Sequence, residues 1–141
     1  MTVAEKQQLQ AKILEAMDKH RIAAFATVEG NKPKVRYMAL FHDGMNVYLA
    51  TDRKTHKVEE LQQNPNVSLL LGYEAGSAPQ VVELEGTASI TKDDSLRQKL
   101  WNKELSKWFE GPDDPNYVIL DIQPSVINYY DEQGKPQRWT P

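Results

Sequence analysis

The segment Tyr48-Leu-Ala-Thr-Asp-Arg-Lys-Thr-His-Lys57 places three basic side chains, Lys54, His56 and Lys57, around the start of a short helix. Cations are unfavourable there, because the aligned peptide dipoles leave partial positive charge at a helix N-terminus. An anion reverses the balance: free first-turn N–H groups, the hydroxyls of Thr51 and Thr55 and the nearby cations would all face negative charge. Arg36, on a neighbouring strand, can add a planar guanidinium fork suited to two phosphate oxygens. Phosphate is the simplest ligand for this set. On residue types alone a solvated loop with Thr55 as a helix cap is an equal reading.

Other chemistries find little support. The chain has no cysteine, so it has no disulfide framework, thiolate metal site or cysteine nucleophile. His20, His42 and His56 fall on different elements without metal-ligand spacing. No nucleophile elbow, Walker loop or dinucleotide-binding glycine pattern is present. The acid pairs Asp93-Asp94 and Asp113-Asp114 flank helix-start and turn signals, where capping and turn roles account for them.

These residues need elements to hold them, and the apolar periods supply a mainly β design. Residues 3–20 read as an amphipathic helix carrying Leu9, Ile13 and Met17 at four-residue spacing. Strands follow at Ile22–Val28, Lys34–His42 and, after an Asp43-Gly44 hairpin turn, Met45–Thr51. A helix over Thr55–Gln63 ends at Asn64-Pro65. Strands at Val67–Leu71 and Pro79–Ile90 come next, the latter with an interior Gly86 that marks a bulge. A third helix starts at Asp93 or Asp94, runs past Trp108 and Phe109 and stops at Gly111-Pro112. Tyr117–Ile122 and Val126–Tyr130 read as two strands separated by Gln123-Pro124.

Six to seven strands, three helices and no βαβ alternation point to a small antiparallel barrel with peripheral helices. At 141 residues the chain is expected to form one domain, 1–141, with residues 1–20 packed on the barrel. A barrel of this size is filled by its own side chains, so a large ligand must sit outside it or between subunits. The net charge of −3 and pI near 5.6 argue against nucleic acid as a partner. The mean hydropathy of −0.64 and the lack of a long apolar run argue against a membrane span, and no export signal is evident, so a cytoplasmic location is expected.

The run Arg36-Tyr-Met-Ala-Leu-Phe41, the Asp-Gly hairpin, Tyr48-Leu-Ala-Thr51 and Thr55-His-Lys57, followed by Leu61 and Asn64-Pro65-Asn66, resembles the FMN signature of the pyridoxamine-phosphate-oxidase-like superfamily. The stretch from Trp101 through Trp108-Phe109-Glu-Gly-Pro-Asp-Asp-Pro115 to Tyr129-Tyr130 resembles its general stress protein 26 branch. The resemblance implies an FMN-binding split β-barrel that dimerises with flavin at the subunit interface. It implies that Arg36 and Lys57 bind the flavin phosphate with Thr55 and His56 beside it. Met38, Ala39, Ala50 and Thr51 would approach the ring or ribityl chain, and Gln80 would be contributed by the partner subunit. Trp108 either stacks near the ring or packs in the core. Phe41 stands where the family has Lys, and His56 where it has Arg. The ending Gln137–Pro141 also departs from the oxidases' Arg-Leu-x-Pro terminus. The implied function is an FMN-dependent oxidoreductase of the general stress response, with catalytic residues unassigned. The alternative is a flavin protein that stores, buffers or senses FMN without turnover.

Overall fold

The computed structural model describes residues 1–73 and 80–141; Pro79, read above as the start of a strand, lies outside the described residues. The elements are α1 (Val3–Lys19), β1 (Ile22–Glu29), β2 (Lys32–Asp43), β3 (Asn46–Asp52), α2 (His56–Gln63), β4 (Asn66–Gly72), β5 (Val81–Thr91), α3 (Asp94–Leu100), a 3₁₀ turn (Lys103–Lys107), β6 (Tyr117–Tyr130) and β7 (Pro136–Trp139). The sheet order is β3-β2-β1-β4-β5-β6-β7, and a further β3–β6 pairing closes six strands into an antiparallel barrel, with β7 added outside the ring. That pairing covers the edges of β3 and β6 over Val47–Asp52 and Tyr117–Ile122.

Alternation along each strand sends one set of side chains inward. Ala23 and Phe25 of β1, Leu40 of β2, Val47 and Leu49 of β3, Leu69 of β4, Leu84 of β5 and Leu120, Ile122 and Ile127 of β6 fill the interior. Leu9, Ile13, Ala16 and Met17 of α1 join this core, so the amphipathic stripe read from the sequence is the face that docks. A Thr2–Glu5 capping box starts α1. A second cluster covers the outside of β3 and β6, where Leu100, Leu105 and Phe109 pack on Tyr117 and Ile119. The outward side chains Ile22 of β1, Val35 and Tyr37 of β2 and Leu70 of β4 remain exposed. Pairing of Ala24 with both Tyr37 and Leu70 lines part of that face up across three strands.

Three expectations change. The helix expected to run from Asp93 to Phe109 is two pieces. Trp101 turns extended after Leu100, and the Asn102 side chain accepts from the N–H groups of Glu104 and Leu105 to start the 3₁₀ turn. Asn offers the backbone that local alternative readily, which is why it favours caps over helix interiors. Gly111-Pro112 therefore ends no helix. The two strands expected around Gln123-Pro124 are one 14-residue strand, β6. Its proline, which has no N–H to donate, sits beside a register shift where Glu85 pairs Val126 and Gly86 pairs Pro124. Gly86 is required there, because a Cβ would lie 2.2 Å from the Gln123 carbonyl oxygen. The short β7, not anticipated, pairs with the C-terminal part of β6.

Candidate functional site

The β1–β2 register sets Arg36 opposite Phe25, on the inward side of β2, with its guanidinium carbon 5.7 Å from the Phe25 ring centroid. Thr27 lies on the same face of β1 and is buried. From α2, Glu60 reaches the same point with a side chain only 2% exposed. Its Oε2 accepts from Thr27 Oγ1 at 2.6 Å and from Arg36 Nη2 at 3.1 Å. Arg36 Nη1 donates to Thr27 Oγ1 at 2.8 Å and, at 3.4 Å, to the Phe25 carbonyl. A buried carboxylate is thus satisfied by a hydroxyl and a guanidinium that share its oxygen.

Next to this cluster runs the β3–α2 turn. The Asp52 carbonyl accepts from the Thr55 N–H and from its hydroxyl, and Asp52 Oδ1 accepts from the Lys54 N–H. Arg53 is tied to Asn116 through backbone and side chain, fixing the turn against the loop before β6. Thr55 occupies the N-cap of α2 but caps nothing with its side chain, unlike Thr2, Asp93 and Asn102 at the other helical starts. Its hydroxyl instead accepts from Lys57 Nζ at 3.1 Å. That ammonium is half-buried and has no carboxylate partner within ion-pair distance among the described residues. Burial pushes its pKa down, and the nearby Arg36 charge pushes it down further.

His56 points to the other side. Its Nε2 lies 2.7 Å from Glu29 Oε2 and its Nδ1 3.4 Å from Glu59 Oε2. The hydrogen bond to Glu29 raises the His56 pKa and, reciprocally, lowers that of Glu29. Glu29, His56 and Glu60 bring one ligand atom each within 4.8 Å of one another, a spacing open to a metal ion. Both carboxylates already carry a cationic partner, Lys34 at 3.3 Å from Glu29 and Arg36 at 3.1 Å from Glu60, and a metal would have to displace them.

Of the residues singled out in the sequence, Arg36, Thr55, His56 and Lys57 fall around this one corner of the barrel, with Thr51 buried at the end of β3. Met38 packs against the main core and Ala50 against the second cluster. Trp108 is 76% exposed, so it is not a core residue. It borders a groove of about 400 Å³ with Ala39 and Phe41 on the outer side of β2. Gln80 donates to the Tyr129 hydroxyl at 3.0 Å and lines a different groove, of about 460 Å³, with Lys12 and Lys19 of α1. Neither groove is lined by Arg36 or Lys57. Glu60, Thr27 and Glu29 were missed. The four-residue step from His56 to Glu60, about one helical turn, was the visible signal for Glu60.

The site is thus built on a closed six-strand antiparallel barrel whose β3–β4 connection is a helix with a basic cluster at its start. The sequence profile of the family described as Pyridoxamine 5'-phosphate oxidase matches residues 9–131, and the chain belongs to that family. It is 45% identical over 123 residues to General stress protein 26 of Bacillus subtilis (strain 168), covering 86% of this chain and 88% of that protein. The crystal structure of General Stress Protein 26 from Bacillus anthracis superposes with a TM-score of 0.86 at 36% identity, covering 95% of this chain and 99% of that one. A heme binding protein from Mycobacterium smegmatis has a TM-score of 0.78 at 13% identity, covering 93% of this chain and 57% of that one. At that identity the likeness is one of fold, and the fold by itself does not select a cofactor.

Proposed function

We propose that this chain binds FMN, with the phosphate held between Arg36 and Lys57, and works as a flavin-dependent oxidoreductase of the general stress response. The observation that carries this reading is the Lys57 ammonium: half-buried, without a carboxylate in ion-pair distance among the described residues, and set near a second cation. Two partly desolvated like charges cost free energy unless an anion joins them. The start of α2, where Thr55 makes no side-chain cap bond, offers further N–H donors to an anion. This donor set, two cations, a threonine hydroxyl and free helix N–H groups, fits a phosphate near-dianion.

In the bound state Lys57 and Arg36 contribute charge, and Thr55 orients the Lys57 ammonium. His56 adds positive potential from the side. When bound, FMN supplies the electron- or hydride-transferring ring, while the protein positions it and tunes its potential. Ala39, Trp108, Gln80, Met38, Ala50 and Thr51 are proposed to line the ring and ribityl chain. For Gln80, which is remote from Arg36 in this protomer's pattern of contacts, the proposed route is through a partner subunit. The exposed Tyr37, 82% accessible, and its neighbours Val35, Ile22 and Leu70 form the face proposed for a homodimer. A cytoplasmic location accompanies this reading; no described helix is long and apolar enough to cross a membrane.

Titration of apoprotein with FMN and with riboflavin tests the phosphate site. Charge-assisted hydrogen bonds contribute about 1.5–3 kcal/mol each, so Lys57→Ala or Arg36→Ala should weaken FMN about 10- to 150-fold. Riboflavin, lacking the phosphate, should bind weakly to wild type and be nearly indifferent to either change. Equal losses for both ligands would refute the assignment. A second reading, flavin binding without turnover, draws support from His56, whose ring is engaged by Glu29 and Glu59 and so offers no free proton donor. Anaerobic mixing of the holoprotein with NADH and NADPH separates the two: bleaching of the flavin band indicates turnover chemistry.

A further inference from the structure

Of the five N–H groups on the Arg36 guanidinium, those on one edge are taken by the protein. Nη1 donates to Thr27 Oγ1 and the Phe25 carbonyl, and Nη2 directs one hydrogen to Glu60 Oε2. The Nε–H and the second hydrogen of Nη2 lie together on the opposite edge, the side-on fork, and have no partner among the described residues. The side chain is 28% exposed, so solvent reaches it. A guanidinium held by one edge and open on the other is prepared for a two-oxygen acceptor.

We propose that Glu60 is a positioning residue for the flavin phosphate: by gripping the inner edge of Arg36 it fixes the rotation of the guanidinium and aims the free side-on fork at two phosphate oxygens. This rests on the reading of Arg36 as a phosphate ligand. The geometry is over-determined. A single Glu60 oxygen accepts from both Thr27 and Arg36, Thr27 also accepts from Arg36, and all three groups close into one triangle of hydrogen bonds. Glu60 also lies one helical turn from both Lys57 and His56 on α2, so its placement ties the helix that carries those side chains to the strand that carries Arg36. A long flexible side chain free to rotate would have to be ordered on binding; a gripped one has been ordered by folding.

The test uses full-length apoproteins titrated with FMN and with riboflavin, with thermal unfolding as a fold check. Glu60→Gln keeps one oxygen able to accept from both Thr27 and Arg36, and should stay within about threefold of wild type for FMN. Glu60→Ala releases the inner edge and should lose FMN affinity by about 10- to 100-fold, the scale of a small misplacement of a positioning group, with riboflavin unchanged. Thr27→Val, which preserves shape while removing the shared hydroxyl, should give a smaller loss confined to FMN and covers the case in which Glu60→Ala does not fold. If Arg36→Ala collapses the preference for FMN over riboflavin while Glu60→Ala and Thr27→Val leave it intact, the positioning role is overturned and the phosphate site stands. If Arg36→Ala also leaves the preference intact, the phosphate reading of Arg36 fails and takes this inference with it. A gain in FMN affinity on both Glu60 substitutions would overturn the proposal too, because Glu60 would then be competing for the guanidinium.

Discussion

Replacing Lys57 by Met should make the apoprotein more stable and the FMN-bound protein less so. The thioether chain keeps the packing of the lysine stem while removing an ammonium that burial and Arg36 both disfavour. Because the ammonium is half-exposed and Arg36 is itself paired with Glu60, solvent screening leaves a gain of roughly 0.3–1 kcal/mol. That corresponds to about 1–4 °C in Tm for a domain of this size. The sign follows from the lowered Lys57 pKa. Below its folded value the charge is present in both states and its cost is fully felt. Between that value and the ordinary 10.5, wild-type stability should climb with pH, and the variant should lack that rise. With FMN at about 100 times the wild-type Kd, ligand linkage adds about 2.7 kcal/mol to wild type. A variant with about 100-fold weaker binding gains only about 0.4 kcal/mol from the same solution. Differential scanning fluorimetry with and without FMN reads both arms, and the order of the two melting curves should invert. An apoprotein destabilised by more than about 1 kcal/mol, or equal FMN-induced shifts in both proteins, would refute the reasoning.

Tyr37→Glu, on the β2 side of the exposed face proposed for a homodimer, should leave the barrel folded and give a monomer in sedimentation, with weakened FMN binding; a dimer in the variant would move the interface elsewhere. FMN should quench tryptophan fluorescence and Trp108→Phe should remove most of that change, whereas equal quenching in both would direct attention to Trp101 or Trp139. Gly86→Ala should cost about 1–3 kcal/mol or more in urea unfolding, because the new methyl meets the Gln123 carbonyl. In an NMR titration His56 should lose its proton above its ordinary 6.5, and Glu29→Gln should bring the midpoint back down. The stabilisation from this pair is complete below about pH 6.5 on the histidine side and fades as pH rises through the raised folded value. On the Glu29 side, the contribution is present above the ordinary 4.5 and fades as pH falls through the lowered value.

Much of this architecture was legible because its signals are local. The four-residue stripe of α1, the turns at Gly30-Asn31 and Gly44, and the break at Asn64-Pro65 each set an element boundary with no help from tertiary contacts. The errors came where distant partners decide. Pro124 looked like a strand terminator, but the partner strand's Gly86 makes room for a bulge that carries β6 straight through. Leu105 and Phe109 continued a helical apolar period that Asn102 interrupts. At the site, the sequence singled out Arg36 and Lys57, whose charges the structure places near each other. It did not indicate that Arg36 is already half-committed. Glu60 lies 24 residues away from it, and only the packing of α2 against β1 makes them neighbours.

The β3–β6 seam has a consequence for how the chain must be made. Val47 pairs Ile122 and Asp52 pairs Tyr117, so the ring cannot shut until residues 117–122 have left the ribosome. Until then a growing chain holding β1 to β5 presents β3 and β5 as two open margins, each with unpaired N–H and C=O groups. Both margins await the same strand, since β6 zips onto β5 along one side and onto β3 along the other. A chain truncated at residue 116 would therefore be an open five-strand sheet, while one that includes β6 through Tyr130 can seal the ring. The two released truncations should differ sharply in protease resistance and in chaperone capture.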